Sequence, residues 1–311
     1  MRPQRATVVV ALSATAALAL AGCGGKTTDS GAAPKTAEVT VSQAADIAAL
    51  VPEAIKTKGT ITIGTDASYP PNEFSTDGGK TFQGMDIDLG NAIGKKLNLK
   101  VKFQNAPFDG LLAGLASGKY DLSMSSFTDN AEREKTVDFV TYFRAGTSIA
   151  VKKGNPLKVT GSDGLCGIRV AAEKGTTQLD SLTKDKFDDG TPTLKATCVK
   201  NGKKAPVPVA LPDQNAVNAA LVAGRADAFT ADSPVVEYQI KATNGGLEQG
   251  GESTDIAPYG IALPKTSGTF KEAVQKAVKA LIDDGTYGKI MDTWGLKDGS
   301  ITDPVVNGAG G

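Results

Sequence analysis

The chain has 311 residues, with 34 Lys and Arg against 34 Asp and Glu, three Cys and no His. Without histidine there are no histidine metal sites, no Ser-His-Asp triad and no access to the commonest general base. The balanced charge gives nothing that favours nucleic acid, and the length suffices for one large or two modest domains, each able to bury a core.

At the start, Arg2 and Arg5 precede an apolar run over 8–21 that closes on Leu20-Ala21-Gly22-Cys23. The run is shorter than the roughly 20 residues a membrane-spanning helix needs, and small residues ahead of a cysteine suit an export peptidase that leaves Cys23 as the new first residue. The expectation is a lipoprotein signal peptide over 1–22, lipid on Cys23, and attachment to the membrane through more than one acyl chain. A buried or amphipathic helix is the alternative, but no polar face exists to orient it. Residues 23–44 are mostly Gly, Ser, Thr, Ala and Lys without apolar periodicity, and read as a flexible tether. With Cys23 assigned to lipid, Cys166 and Cys198 are an even pair outside the cytoplasm. A disulfide is therefore expected ahead of two buried thiols, and zinc lacks further ligands.

Residues 45–56 carry Ile47, Leu50, Val51 and Ile55 at helical spacing, with a break at Pro52. Thr60-Ile61-Thr62-Ile63-Gly64 alternates as a strand ending at Asp66, and Tyr69-Pro70-Pro71-Asn72 is a turn. Leu89, Ala92, Ile93 and Leu97 mark a helix face, which leads into a strand over 99–103, a helix over 108–117 and a strand over 120–125. Asp86 and Asp88 open the first of these helices, where acids suit the dipole, and are read as structural. A strand over 145–151 can pass from one lobe to another. A second set follows, with strands over 168–171, 206–211 and 226–230 and helices opening at 175 and 215. The chain then gives a strand over 259–263 and a strong helical stripe from Phe270 through Ile282 to Trp294. Residues from 297 on are polar and glycine-rich and are expected to fray. Strands alternating with helices argue for open α/β sheets that gather ligands at the carboxyl ends of their strands, near which Asp66, Phe108 and Ser126 fall.

The segment Met124-Ser125-Ser126-Phe127-Thr128-Asp129-Asn130 leads to Arg133, placing two hydroxyls on one face of an extended stretch beside a guanidinium, whose donor fork fits a carboxylate. Read with Gly64-Thr65-Asp66, Tyr69-Pro70-Pro71-Asn72-Glu73-Phe74, Gly84-Met85-Asp86-Ile87-Asp88-Leu89, Phe108-Asp109-Gly110-Leu111, Gly175-Thr176-Thr177, Ala223-Gly224-Arg225-Ala226-Asp227 and Asp283-Asp284-Gly285-Thr286-Tyr287, it makes residues 59–296 resemble the extracytoplasmic solute-binding proteins of amino-acid ABC transporters, family 3. The resemblance implies an α/β, two-lobe periplasmic-binding-protein-like fold, each lobe an open sheet flanked by helices, joined by two hinge strands. Lobe 1 would comprise 45–146 and 256–298, lobe 2 would comprise 147–255, and 299–311 would be a flexible tail.

The resemblance further implies that Arg133 meets the main-chain carboxylate of a ligand amino acid, helped by Ser126, Thr128, Thr176 and Thr177, while Asp232 accepts its ammonium group. Asp66, Tyr69 and Phe108 would surround the side chain. Asp66 would favour an amide or a cation and disfavour a carboxylate, since a desolvated like-charge pair is costly. The family often has threonine three residues before Arg133, where this chain has Asn130. Each residue also has a plainer reading: Arg133 as a surface partner of Glu132 or Glu134, Asp66 or Asp232 as a turn cap, Tyr69 and Phe108 as core, Ser126 and Thr128 as local backbone partners. The function implied is capture of a polar L-amino acid, glutamine or a basic one favoured, for an ABC permease, by a monomer without cofactor, metal or chemistry of its own. The rival is an enzyme on the same scaffold, a cyclohexadienyl-type dehydratase.

Overall fold

The computed structural model describes residues 36–309. The signal peptide, Cys23 and most of the tether lie outside the described residues.

One nine-stranded sheet organises the chain. Its first half holds the parallel strands Lys100–Asn105, Thr60–Thr65 and Leu122–Ser123, in that spatial order. Its second half holds Ala228–Asp232, Arg169–Glu173 and Val207–Leu211, with parallel pairing on both sides of Arg169–Glu173. Two long antiparallel strands, Val137–Lys152 and Thr254–Pro264, join the halves. The start of Val137–Lys152 pairs with Thr254–Pro264 and its end with Ala228–Asp232 and Leu247–Gln249. Where the halves meet, the register slips between Thr254 and Ala257, and Gly146 packs so closely that a Cβ there would lie 2.7 Å from the Thr254 carbonyl.

Helices cover the sheet because their stripes are apolar on one side. Met85–Lys96 buries Met85, Leu89 and Ile93, and Phe270–Asp283 buries Phe270, Val274, Ala277, Val278 and Leu281. Separate cores result. One gathers Phe108, Leu111, Leu115, Phe127 and Phe139 in the first half. Another gathers Ala171, Val217, Leu221, Phe229 and Val235 in the second, and Tyr69 of the first half reaches into it.

Several expected elements are longer or newly seen. The strand expected over 145–151 begins at Val137, and the helices Leu194–Lys200 and Ser233–Ala242 had no counterpart. The strand expected over 120–125 shortens to Leu122–Ser123. Residues 305–309, expected to fray, lie along Val137–Lys152. Thr141 N–H donates to the Val305 carbonyl (2.9 Å), Phe139 N–H to Asn307 Oδ1 (2.8 Å), and Gly308 N–H to Asp129 Oδ2 (2.6 Å). These bonds give an otherwise open stretch of strand edge its partners, which composition does not announce. In the second half, Cys166 and Cys198 are joined, with Sγ atoms 2.00 Å apart.

Candidate functional site

The strands of the two halves point their carboxyl ends at one another across a narrow cleft. Tyr69, Phe108, Ser126, Thr128 and Arg133 line it from the first half, and Thr176, Thr177 and Asp232 from the second, around a cavity of about 10 Å³. Thus eight of the nine residues expected at a ligand site converge. The ninth, Asp66, lies one layer behind, where its Oδ2 accepts from the Phe108 N–H (2.9 Å).

Arg133 starts a short 3₁₀ turn, Arg133–Lys135. Asn130, the departure from the family pattern, accepts from the Arg133 N–H through Oδ1 (2.9 Å) and so starts that turn as threonine could. The guanidinium donates to the Thr128 carbonyl (2.9 Å) and, across the cleft, to the Gly175 carbonyl (3.0 Å). It also lies 5.5 Å from the Phe108 ring centre and 5.4 Å from that of Phe127, close enough for cation–π attraction. The plainer reading of Arg133 as a partner of Glu132 or Glu134 is not what its side chain does.

Asp232 precedes the helix Ser233–Ala242 but makes no cap with its side chain. It accepts from Gln178 Nε2 (2.7 Å) and Tyr259 Oη (2.7 Å), and burial raises its pKa against the opposing pull of these donors and Arg133. Thr176 spends its hydroxyl locally, donating to the Glu173 carbonyl (2.7 Å) and accepting from the Leu179 N–H (3.2 Å) as the cap of Thr177–Thr183. Gly175, at φ +80°, lets the two halves touch: a Cβ there would lie 2.9 Å from the Asp109 Cα.

Ser126 sits in the left-handed region, at φ +52°. A buried set holds it: Asp86 Oδ2 accepts its N–H (3.1 Å), Glu73 Oε2 its hydroxyl (3.0 Å), and Asn72 Nδ2 donates to its Oγ (2.9 Å). Asp86, read from sequence as a helix-dipole acid, therefore braces the cleft floor, and Tyr142 Oη donates to the same oxygen (2.9 Å). Burial pushes the Asp86 carboxyl up to about 7 and Glu73 well above its ordinary value. Ser125, Gln178, Tyr259 and Glu73 were missed. Only Ser125 carried a signal, as a hydroxyl beside Ser126. Beyond Arg133 and Asp232 a larger cavity of about 580 Å³ opens beneath the crossing strands, lined in part by Thr147, Asp180, Phe187, Thr254 and Pro258.

Residues 61–297 match the profile of bacterial extracellular solute-binding proteins, family 3. The chain belongs to this family. It is 31% identical to the arginine-binding protein ArgT of Corynebacterium glutamicum over 262 residues, which is 84% of this chain and 83% of that protein. Among solved structures it resembles an ancestral arginine-binding protein bound to arginine, at 35% identity and a TM-score of 0.67, over 76% of this chain and 98% of that one. The same holds for an ancestral arginine-binding protein bound to glutamine, at 34% identity and a TM-score of 0.67, over 76% and 98% of the two chains. These relatives are solute-binding proteins and not enzymes, and the dehydratase reading is set aside with them. Family members work outside the cytoplasm, and among the described residues no helix is long and apolar enough to cross a membrane.

Proposed function

We propose that this family member captures a polar L-amino acid, glutamine or a basic one favoured, and delivers it to an ABC permease while held to the membrane by lipid on Cys23. One observation carries the reading: Arg133 and Asp232, opposite charges from the two halves of the sheet, line a single cleft with the rings of Tyr69 and Phe108. An amino-acid zwitterion offers a carboxylate to the first and an ammonium to the second. Ser126, Thr128 and Thr177 add polar partners for the carboxylate end, and Thr176 holds the turn that presents Thr177.

Because the two charges belong to different lobes, 45–146 with 256–298 and 147–255, a bridging ligand interacts more strongly with the closed form than with an open one and shifts the population toward closure. The crossing segments at Gly146 and Asp255 absorb the rotation. Asp255 already stands at φ +53°.

A calorimetric screen of the purified protein against all proteinogenic amino acids tests this. At least one polar amino acid is expected to bind unmodified, and Arg133→Ala and Asp232→Ala to abolish or sharply weaken that binding. Equal affinity in both variants would defeat the site assignment.

A further inference from the structure

Next to Tyr69, which lines the cleft, the chain buries two acids with no cation beside them. Glu173, the last residue of Arg169–Glu173, is 1% exposed, and neither of its carboxyl oxygens has a hydrogen-bond partner. Strand alternation places it on the same face as Ala171, in the core that Tyr69 enters from the other half. Asp66, also buried, meets it from the carboxyl end of Thr60–Thr65. The groups acting on this pair are the hydroxyls of Tyr69 and Ser68, the Phe108 N–H, the charge of Asp213 and the two acids on each other, and no lysine or arginine is among them. Burial first, then the charge of Asp66, pushes Glu173 up to about 9, and burial lifts Asp66 to about 6.

Two carboxyl groups brought together out of water, with no cation and only hydroxyls, one backbone N–H and each other to interact with, are costly to the fold. Structural acids of this chain are treated differently. Asp138 is clasped by Lys265 and Lys271, each at 2.7 Å, and Asp86 by Ser126 and Tyr142. Glu173 has no such clasp, and it faces the acid expected at the tip of the ligand side chain.

We propose that Glu173 and Asp66 together form the seat for a positively charged side-chain tip, so that the protein selects a basic amino acid over an uncharged polar one. The inference rests on the amino-acid-capture reading above and narrows its ligand. A guanidinium suits the seat because its donor fork can serve one carboxylate bidentately and still reach the second. Each acid comes from a different half of the sheet, so a cation between them ties the halves together at the end of the cleft opposite Arg133 and Asp232.

The test compares L-arginine with L-citrulline, which has the same length but a neutral urea tip, and with L-glutamine, by calorimetry on the full-length protein in detergent at neutral pH. Arginine is expected to bind the parent about a hundredfold more tightly than citrulline, as for a close, desolvated charge pair. Glu173→Gln is expected to shrink that ratio to about tenfold or less while leaving citrulline affinity within a few fold. Citrulline or glutamine binding the parent as tightly as arginine overturns the proposal, with no variant needed. So does a Glu173→Gln protein that melts like the parent and keeps the full ratio. If no amino acid binds the parent, the capture reading itself fails and this inference with it, an outcome distinct from binding without charge preference.

Discussion

The two ends of the cleft handle charge in opposite ways. At the Arg133 end, each charged group is partly satisfied by the protein, the guanidinium by two carbonyls and Asp232 by Gln178 and Tyr259. At the Asp66 end, the Asp66 carboxyl accepts one backbone N–H, from Phe108, while Glu173 accepts none and no cation offsets either acid. The first end is preorganised for a group that every amino acid has. The second is left in deficit, and only a ligand of the right charge relieves it. Preorganisation lowers the cost of ordering on binding, and an unrelieved deficit penalises the wrong partner, so general affinity and selectivity are assigned to different ends.

The largest effect should come from Arg133→Ala. Removing one partner of a desolvated charge pair costs about 2–5 kcal/mol, roughly thirtyfold to several thousandfold in affinity. The loss should be equal for arginine and citrulline in calorimetry, and a loss confined to one of them would show that the ends are not separable. Replacing Cys166 and Cys198 together by serine releases a crosslink between residues 32 apart, worth about 3–4 kcal/mol by loop entropy. The denaturant midpoint should fall, and the arginine-to-citrulline ratio should stay put.

Asn307→Ala leaves the Phe139 N–H without its side-chain acceptor and should cost about 1–3 kcal/mol of unfolding free energy. Because 305–309 brace Asp129 and the strand behind it, any loss of affinity should again be shared by both ligands. The smallest effect is a pH dependence of at most about tenfold per unit. A cation binds the ionised acids, so arginine affinity should rise between pH 6 and 9, as Asp66 and then Glu173 give up their protons, and citrulline affinity should not. For the protein without amino acid the sign is opposite. Both folded pKa values are raised, so the stability they contribute is fully present below the ordinary carboxylate range and is lost as pH rises through about 6 and about 9. A melting temperature flat across that window in the parent, with no difference from Glu173→Gln, would remove the charge deficit from the account.

Much of this was legible before any coordinates. The stripe Phe270, Val274, Ala277, Val278 and Leu281 is a helix face at any reading, and Thr60 to Thr65 alternates as a strand should. Arg133 stood out because hydroxyls and an arginine share a short segment. Glu173 did not, because a charged residue ending the run Arg-Val-Ala-Ala-Glu reads as the solvent end of a strand. Asp86 was read as structural, and it is, but its partners were hidden for a related reason: an acid in the first turn of a helix has a sufficient local explanation, and only the fold shows its carboxylate under Ser126. The helix Ser233–Ala242 was hidden by Pro234, which reads as a turn yet suits a helix's first positions.

By itself, the sequence determined the order of strands and helices, the pairing of two cysteines and the one arginine suited to a carboxylate, because periodicity, cysteine number and side-chain chemistry are local properties. Only the tertiary structure decided which acids are buried against which. Asp66 and Glu173 are 107 positions apart and belong to different halves of the sheet, and their charges interact only where the fold excludes water and brings the carboxyl ends of those strands together.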